Sequence, residues 1–405
     1  MPTWQSRQGS QNLKIGVVHE IFTWHRLFST KSMARLKGLE IVGDDINLKT
    51  IVPRVESFLH IFQMTDLTDV SRDISNGELK INIKLKEEYA NTYCPQFDTL
   101  HIRKLISNKF QLPADALDEL EILIALLASP LAFTFQSVDS LESHIRVRKY
   151  LIQHARKTAV AFNTEAGERP FDFWKYEEET GYTLQPNADL ITALLAATQP
   201  ETTGALYDFS CYRASEYVIL LAIAQEAQHI NANLLGEIEA VNRKFAIKSE
   251  QFHSVYLHEY GSMSSPLPVE YYIPGDRLWF KNPDEKSSDV KGYEGSWVLY
   301  MGDGLFSNFW NREKPYSLEQ KCLEIYYWRD GVMRDAGGTL KMDEEIVNKK
   351  VTEALADAAK TSLILNRMTR YRDPSGVYEN GGCIDTTREY PRSIYKDCCE
   401  VVLPR

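Results

Sequence analysis

The stretch that decides the fold runs from Tyr207 to Ala224 and reads YDFSCYRASEYVILLAIA. The residues before Cys211 are typical of turns and helix caps, and those after it predict a buried helix. A thiol in the first turn of a helix lies near unpaired backbone N–H groups and the positive end of the helix dipole, and both lower its pKa. The placement indicates a cysteine nucleophile. The alternative is an inert cysteine packed under a core helix.

The composition is that of an ordinary globular chain with an acidic balance. Its 405 residues are 43% hydrophobic and 25% charged, with a net charge of −10, and the length suggests two or three domains. No apolar run approaches the roughly 18–20 residues of a membrane span, and the N-terminus lacks the apolar core of a secretory signal. We therefore expect a cytoplasmic protein with no membrane partner.

The charge pattern weighs against a large nucleic-acid surface, which would be basic. The densest basic stretch combines Ile145–Tyr150 with Arg156 and Lys157. We expect it to be the solvated face of a helix.

The cysteines are scattered, apart from one adjacent pair near the C-terminus; they are Cys94, Cys211, Cys322, Cys383, Cys398 and Cys399. No C-x-x-C spacing occurs, which argues against a zinc site and against a disulfide scaffold. Neither a Rossmann nor a P-loop glycine pattern is present. We expect no metal and no cofactor.

Hydrophobic periodicity predicts the individual elements. Helices are predicted at residues 114–132, 141–158, 187–197 and 342–370, and from Cys211 to about residue 240; strands are predicted at residues 14–18, 79–85, 271–280, 296–301 and 305–310. An antiparallel sheet after a cysteine-bearing helix is the order of papain-like and NlpC/P60-like thiol enzymes. The predicted fold class is α+β, with a papain-like core and mixed α/β regions at both ends.

Changes in these patterns divide the chain into four regions. We expect disorder at residues 1–12, a mixed α/β region at residues 13–140, the cysteine-bearing core at residues 141–315 and a helical extension at residues 316–405.

Two stretches of the core resemble the bacterial spore-coat protein-glutamine γ-glutamyltransferases. The first runs from Phe173-Trp174 through GYTLQP at residues 181–186 to Cys211 and its apolar helix. The second is GDRLWFKNPD at residues 275–284, followed by GYEGSWVLY at residues 292–300, and is similar to the family's GD-x-x-x-FKNPD strand and the strand after it.

The resemblance implies acyl transfer through a cysteine thioester, which makes residues 141–315 a thiol acyltransferase core. A glutamine carboxamide is attacked by Cys211, ammonia leaves, and a lysine amine takes the acyl group.

The chain departs from the family's pattern at two places. Where the family has the triplet G-E-N with its second catalytic carboxylate, residues 295–297 read GSW. Glu294 lies two positions before the serine, a shift of about 7 Å along a strand. Where the family has a histidine after the next turn, residues 307–309 read SNF, and no histidine follows His258. The acid–base partner of Cys211 is therefore open.

Polar residues near the two motifs are candidate partners of Cys211; they are His253, His258, Asp276, Glu294 and Asn308. A histidine would act as the general base, Glu294 would replace the missing carboxylate, and Asn308 would orient a group or donate to an oxyanion. If none of them acts at the site, they are surface histidines, a solvated carboxylate and turn residues.

Four further residues are candidate substrate contacts. Tyr207 and Asp208 precede the nucleophile, and Trp297 and Trp310 belong to an aromatic cluster that would wall a pocket for a planar side chain. Ordinary core packing would explain the cluster equally well.

The predicted function is an amide-forming acyltransferase with an amine acceptor. The acyl donor is either a protein glutamine or an aminoacyl-tRNA. With the tRNA donor the protein would be a cyclodipeptide synthase of the fungal arginine-containing type. The residues are also compatible with a hydrolase that uses the same nucleophile and with a catalytically inactive binding protein on the same fold.

Overall fold

In a computed structural model, the stretch after Ser210 is a helix, as its pattern predicts. The Ser210 hydroxyl oxygen caps this helix by accepting a hydrogen bond from the Arg213 backbone N–H at 3.3 Å. The helix spans Cys211–Ile230, and most of its side chains are buried. It ends at Asn231, whose side chain caps the following helix. The prediction of a single helix to about residue 240 is therefore wrong, because this cap separates two helices.

The structure describes residues 36–404, except 45–47, 76–77, 164–166, 247 and 376–380. The chain from Leu36 onward forms one compact unit. The predicted disorder at residues 1–12 and the predicted strand at residues 14–18 lie outside the described residues.

The helices are α1 (Leu48–Ile61), α2 (Glu87–Tyr93), α3 (Ile102–Lys109), α4 (Ala114–Leu127), α5 (Val138–Lys157), α6 (Leu190–Thr198), α7 (Cys211–Ile230), α8 (Ala232–Lys244), α9 (Ser249–Tyr256), α10 (Glu285–Ser288), α11 (Leu318–Gly331), α12 (Glu344–Leu355) and α13 (Ala358–Met368). The strands are β1 (Leu39–Asp44), β2 (Thr68–Ser75), β3 (Glu78–Leu85), β4 (Phe133–Phe135), β5 (Ala161–Phe162), β6 (Trp174–Glu177), β7 (Gly181–Leu184), β8 (Asp208–Phe209), β9 (Leu257–Gly261), β10 (Arg277–Lys281), β11 (Gly295–Leu299), β12 (Leu305–Phe306), β13 (Tyr316–Ser317), β14 (Val332–Arg334), β15 (Leu340–Met342) and β16 (Thr387–Pro391).

The N-terminal sheet has the strand order β2-β3-β1-β4. β1 pairs antiparallel with β3, with Leu39 opposite Ile83, and parallel with β4. Leu79, Ile81 and Ile83 alternate along β3 and are buried, which confirms the half-buried strand predicted at residues 79–85.

The central sheet has the strand order β11-β10-β16-β9, and every neighbouring pair is antiparallel. Trp279 on β10 lies opposite Trp297 on β11, so the antiparallel sheet predicted after the cysteine-bearing helix is confirmed. β16 comes from near the C-terminus and lies between β9 and β10. The region predicted as a helical extension therefore also supplies a strand to this sheet.

The helix predicted at residues 342–370 is divided into α12 and α13. Asp357 caps α13 by accepting hydrogen bonds from the backbone N–H groups of Ala359 and Lys360. As at Asn231, a capping side chain interrupts a continuous apolar pattern.

The basic stretch of α5 is paired with carboxylates. Arg148 is fully buried, and its Nη1 donates to Asp276 Oδ1 at 2.9 Å. Arg146 Nη2 donates to Oε1 of the buried Glu226 on α7 at 2.7 Å, and two further cations of this helix pair with carboxylates of α4. The expectation of a solvated face is wrong for Arg146 and Arg148, because they pair with buried acidic groups that require cations, whereas Arg156 and Lys157 are exposed.

Candidate active site

Cys211 occupies the first position of α7 and is half-buried. Burial raises the pKa of its thiol, and a hydrogen bond from the backbone N–H of Trp297 and the positive charge of Lys321 act in the opposite direction. The backbone N–H groups of Cys211 and Tyr212 at the helix start also lower this pKa, as predicted, but burial reverses the predicted net direction. Loss of hydration outweighs the helix terminus, and the one-dimensional pattern did not reveal how far the thiol is enclosed.

Two cavities meet at the Cys211 side chain. The larger has a volume of about 610 Å³ and the smaller a volume of about 410 Å³. Phe162, Cys211, Gly292 and Gly295 line both. A thiol at such a junction can contact one reactant from each side, which is the proximity that transfer between two molecules requires.

Gly295 allows β11 to pass close to an indole ring. A Cβ atom at this position would overlap Trp279 Nε1 and would lie 2.6 Å from the carbonyl oxygen of Phe280. The Trp279 ring stacks on Trp297, with centroids 6.2 Å apart. The missing side chain at residue 295 therefore lets the two indoles form a wall of the smaller cavity.

A buried arginine lies behind this aromatic wall. The guanidinium carbon of Arg277 is 4.9 Å from the ring centroid of Tyr212 and 4.8 Å from that of Trp297. Its Nε donates to Glu389, and Oε1 of the same carboxylate lies 3.2 Å from His253 Nε2. Glu389 and Arg277 therefore connect His253 to Tyr212, the residue after the thiol.

The side of the larger cavity formed by α11 and α12 includes charged side chains. Lys321 Nζ donates to Glu324 Oε2 at 2.9 Å and lies 4.1 Å from the ring centroid of Tyr316. The Tyr293 hydroxyl donates to Glu344 Oε1 at 2.7 Å, and burial, with the help of this carboxylate, raises the pKa of Tyr293. The larger cavity is thus lined by the thiol, an ammonium and two carboxylates.

Besides Cys211, four of the predicted site residues line the cavities. Asn308 and Trp310 line the larger one, and Glu294 and Trp297 line the smaller one. Glu294 is exposed, and its Oε1 accepts a hydrogen bond from the backbone N–H two residues earlier at 3.2 Å. The Asn308 side chain bonds backbone groups of its own turn at 2.8 and 3.1 Å. Both side chains would need to exchange these contacts to act on a substrate.

The remaining predicted residues line neither cavity. Asp276 accepts hydrogen bonds from buried donors, and His258 Nε2 lies 3.0 Å from Glu400 Oε2. Tyr207 and Asp208 hold β8 beside β5 through backbone hydrogen bonds and strand pairing. Their predicted roles at the site stay predictions.

The comparison with known families decides where the chain belongs. The sequence model of TGL, protein-glutamine gamma-glutamyltransferase, matches residues 103–388. The chain belongs to this family. The predicted relationship to the spore-coat enzymes is confirmed, and it supports a transglutaminase-like acyltransferase.

Solved structures include a similar chain, the transglutaminase from Geobacillus stearothermophilus without its C-terminal extension. The identity is 18% and the TM-score 0.36, and the match covers 52% of this chain and 96% of that one. No curated protein matches the chain.

In this member of the TGL family, two charged residues of the site were missed from the sequence. Lys321 and Glu324 both line the larger cavity. Lys321 falls on the apolar stripe of α11 formed by Leu318, Cys322 and Ile325, all of which are buried. A lysine inside an apolar stripe is unusual, and this is the sequence signal that could have identified Lys321.

Within the described part of the chain, no group of three or more histidine, cysteine and acidic side chains is arranged to hold a metal ion. Over the same residues, no helix is both long and apolar enough to cross a bilayer.

Proposed function

We propose that the protein is a cysteine-dependent acyltransferase that forms an amide bond through a thioester on Cys211. A protein glutamine is the acyl donor and a primary amine is the acceptor. The observation that carries this proposal is the position of Cys211 at the junction of two cavities in a chain of the TGL family.

The proposed reaction has two transfers at one sulfur. The Cys211 thiolate attacks the carboxamide carbon, a C–S bond forms, and the C–N bond breaks as the nitrogen takes a proton and leaves as ammonia. The acceptor amine then attacks the thioester carbon, loses a proton, and displaces the thiolate. One reactant would occupy each cavity, so that the acyl donor and the acceptor amine would both contact the same sulfur.

The residues around the thiol support distinct roles in this scheme. The backbone N–H of Trp297 donates to the sulfur and favours its charged form. Trp297 and Trp310 provide walls for the hydrocarbon part of a side chain, and Glu294 and Asn308 are the polar groups proposed to contact the reacting amide. The fold we propose is the papain-like or NlpC/P60-like arrangement, in which a cysteine begins a helix beside an antiparallel sheet.

A direct test follows incorporation of a fluorescent primary amine into glutamine-containing casein, with intact-mass detection of the acyl-enzyme. Cys211→Ala should abolish both signals. Cys399→Ala is the matched control, because Cys399 is also half-buried but does not line the two cavities, and it should retain the wild-type rate. Undiminished incorporation by Cys211→Ala would rule out the proposal.

A second candidate function follows from Ser296. It lines the larger cavity at the strand position where the resemblance places the family's carboxylate. A serine there is a weaker acid–base group, so protonation of the leaving amine would be less effective. An ester donor, such as an aminoacyl-tRNA, needs less help. A diketopiperazine among the products of an expressing host, without casein labelling, would favour this candidate.

The same assays distinguish a hydrolase and a binding protein from a transferase. Deamidated glutamine without amine incorporation would indicate a hydrolase. Absence of every product and of any mass adduct at Cys211 would indicate a binding protein.

A further inference from the structure

Lys321 is a buried cation in the cavity that contains the proposed nucleophile. Its side chain is 4% exposed, and it lines the larger cavity together with Cys211. Lys314 lines the same cavity but is exposed to solvent. Because water screens an exposed charge, the charge of Lys321 is screened less than that of Lys314.

The contacts around Lys321 are those of a charged ammonium. Nζ donates to Glu324 Oε2 at 2.9 Å and lies 4.1 Å from the Tyr316 ring centroid and 5.9 Å from that of Trp328. A carboxylate and two ring faces each attract a cation. The apolar stripe of α11 fixes the stem of the side chain, so the charge has a defined position.

The other charged and titratable groups at the two cavities and directly behind their wall come from several elements; they are Tyr212, Arg277, Lys291, Tyr293, Glu294, Lys314, Tyr316, Glu324 and Glu344. The Glu324 carboxylate is engaged by Lys321 and the Glu344 carboxylate by Tyr293. Arg277 is separated from the cavities by the rings of Tyr212 and Trp297. These contacts leave Lys321 as the buried ammonium that faces the larger cavity.

We propose that the Lys321 ammonium is the positive partner of the Cys211 thiolate across the larger cavity, in the role that a protonated histidine has in other cysteine enzymes. This inference rests on the proposed function in treating Cys211 as the nucleophile. The thiol proton passes to solvent when the thiolate forms, and Lys321 keeps its three protons. No covalent bond to Lys321 forms or breaks.

The test measures the rate of Cys211 alkylation by iodoacetamide between pH 6 and 10, with the modified site identified by peptide mass. Lys321→Met should slow alkylation at pH 7 by about tenfold. The reason is that one nearby opposite charge lowers a thiol pKa by roughly one unit or more, which changes the thiolate fraction by that factor. Lys321→Arg keeps the charge and should restore most of the rate. Lys360→Met is the matched control, because Lys360 also lies over a tyrosine ring, at 5.5 Å from the Tyr327 centroid, but does not line the cavity.

A second variant keeps the test decisive if Lys321→Met folds poorly. Glu324→Gln removes the negative charge that offsets the ammonium and should speed alkylation. If the Lys321–Glu324 ion pair has only a structural role, Lys321→Met and Glu324→Gln should change the rate of Cys211 alkylation in the same direction. That result would overturn the inference.

The outcomes separate this inference from the proposed function. Amine incorporation that depends on Cys211, with an alkylation profile unchanged in Lys321→Met, would remove Lys321 from the site and leave the acyltransferase standing. If the wild-type protein incorporates no amine but its alkylation profile still depends on Lys321, the acyltransferase proposal fails and the pairing of Lys321 with Cys211 stands.

Discussion

Asp276→Asn should be among the most destabilising single changes in this protein. The Asp276 carboxylate is fully buried and accepts from Arg148 Nη1 at 2.9 Å, from the backbone N–H of Ile273 at 2.8 Å, and from the Tyr260 hydroxyl. Asparagine keeps the shape and one acceptor oxygen, but it leaves the buried Arg148 guanidinium without its carboxylate.

The expected cost follows from that uncompensated charge. Breaking one partner of a buried ion pair costs about 3–5 kcal/mol, a large share of a typical unfolding free energy of about 5–15 kcal/mol. The loop cannot easily move to relieve the charge, because it packs closely on this arginine: a Cβ atom at Gly275, where φ is +92°, would lie 3.0 Å from Arg148 Cβ.

The measurement is urea unfolding followed by circular dichroism. Arg148→Met combined with Asp276→Asn should cost less than the sum of the two single changes, because the double variant no longer buries an unpaired charge. Glu201→Gln is the control for an exposed pair, since Glu201 is 59% exposed beside Arg312, and it should cost less than about 1 kcal/mol. A cost for Asp276→Asn as small as that of the control, or simple additivity in the double variant, would refute the reasoning.

Three further changes test separate parts of the structure. The hydrogen bond with Glu389 raises the pKa of His253, and despite burial the same bond lowers the pKa of Glu389. The contribution of His253 to folding stability is fully present below its unfolded pKa of about 6.5 and is lost as pH rises through the raised folded pKa. The contribution of Glu389 is present above its unfolded pKa of about 4.3 and is lost as pH falls through the lowered folded pKa. The stability difference between wild type and His253→Asn, from urea unfolding, should therefore peak between about pH 4.5 and 6.5, and a difference that stays constant to pH 9 would contradict the pairing. Gly295→Ala should destabilise by about 1–3 kcal/mol in thermal unfolding, because its Cβ would overlap an indole nitrogen. Gly236→Ala in α8 meets open space and should stabilise by about 0.5–1 kcal/mol; equal effects of the two substitutions would count against the close approach at residue 295. Ser210→Ala should cost about 1 kcal/mol in urea unfolding through loss of the helix cap, and Ser210→Gly only a few tenths; the reverse order would argue against the cap.

The central sheet shows how far local patterns reached. The strands near residues 277–281 and 295–299 followed from the sequence, because alternation and turn residues act over neighbouring positions. The strand at Thr387–Pro391, which lies between β9 and β10, did not follow, because its partners lie more than 100 residues away in the chain. The helix caps at Asn231 and Asp357 are local features, but they were also missed. The apolar pattern continues across each cap, so it predicted one helix where there are two.

The site divides in the same way. Cys211 and Trp297 were identified from motifs and Trp310 from the aromatic cluster, and all three line the cavities. Lys321 was missed, because no motif joins α7 to α11 and only packing places the two residues on one cavity. The pKa of the thiol was predicted in the wrong direction, because a helix start is a local property and burial is not.

The sequence alone determined that Cys211 begins a helix beside an antiparallel sheet in a chain of the transglutaminase family, because capping, apolar runs and motif spacing are encoded by residues close together in the chain. Only the tertiary structure decided what surrounds the sulfur. Two cavities meet at the sulfur, a backbone N–H of β11 lies beside it, and Lys321 of the distant α11 lines the larger cavity. Their combined effect depends on distance and hydration, and those are set by packing.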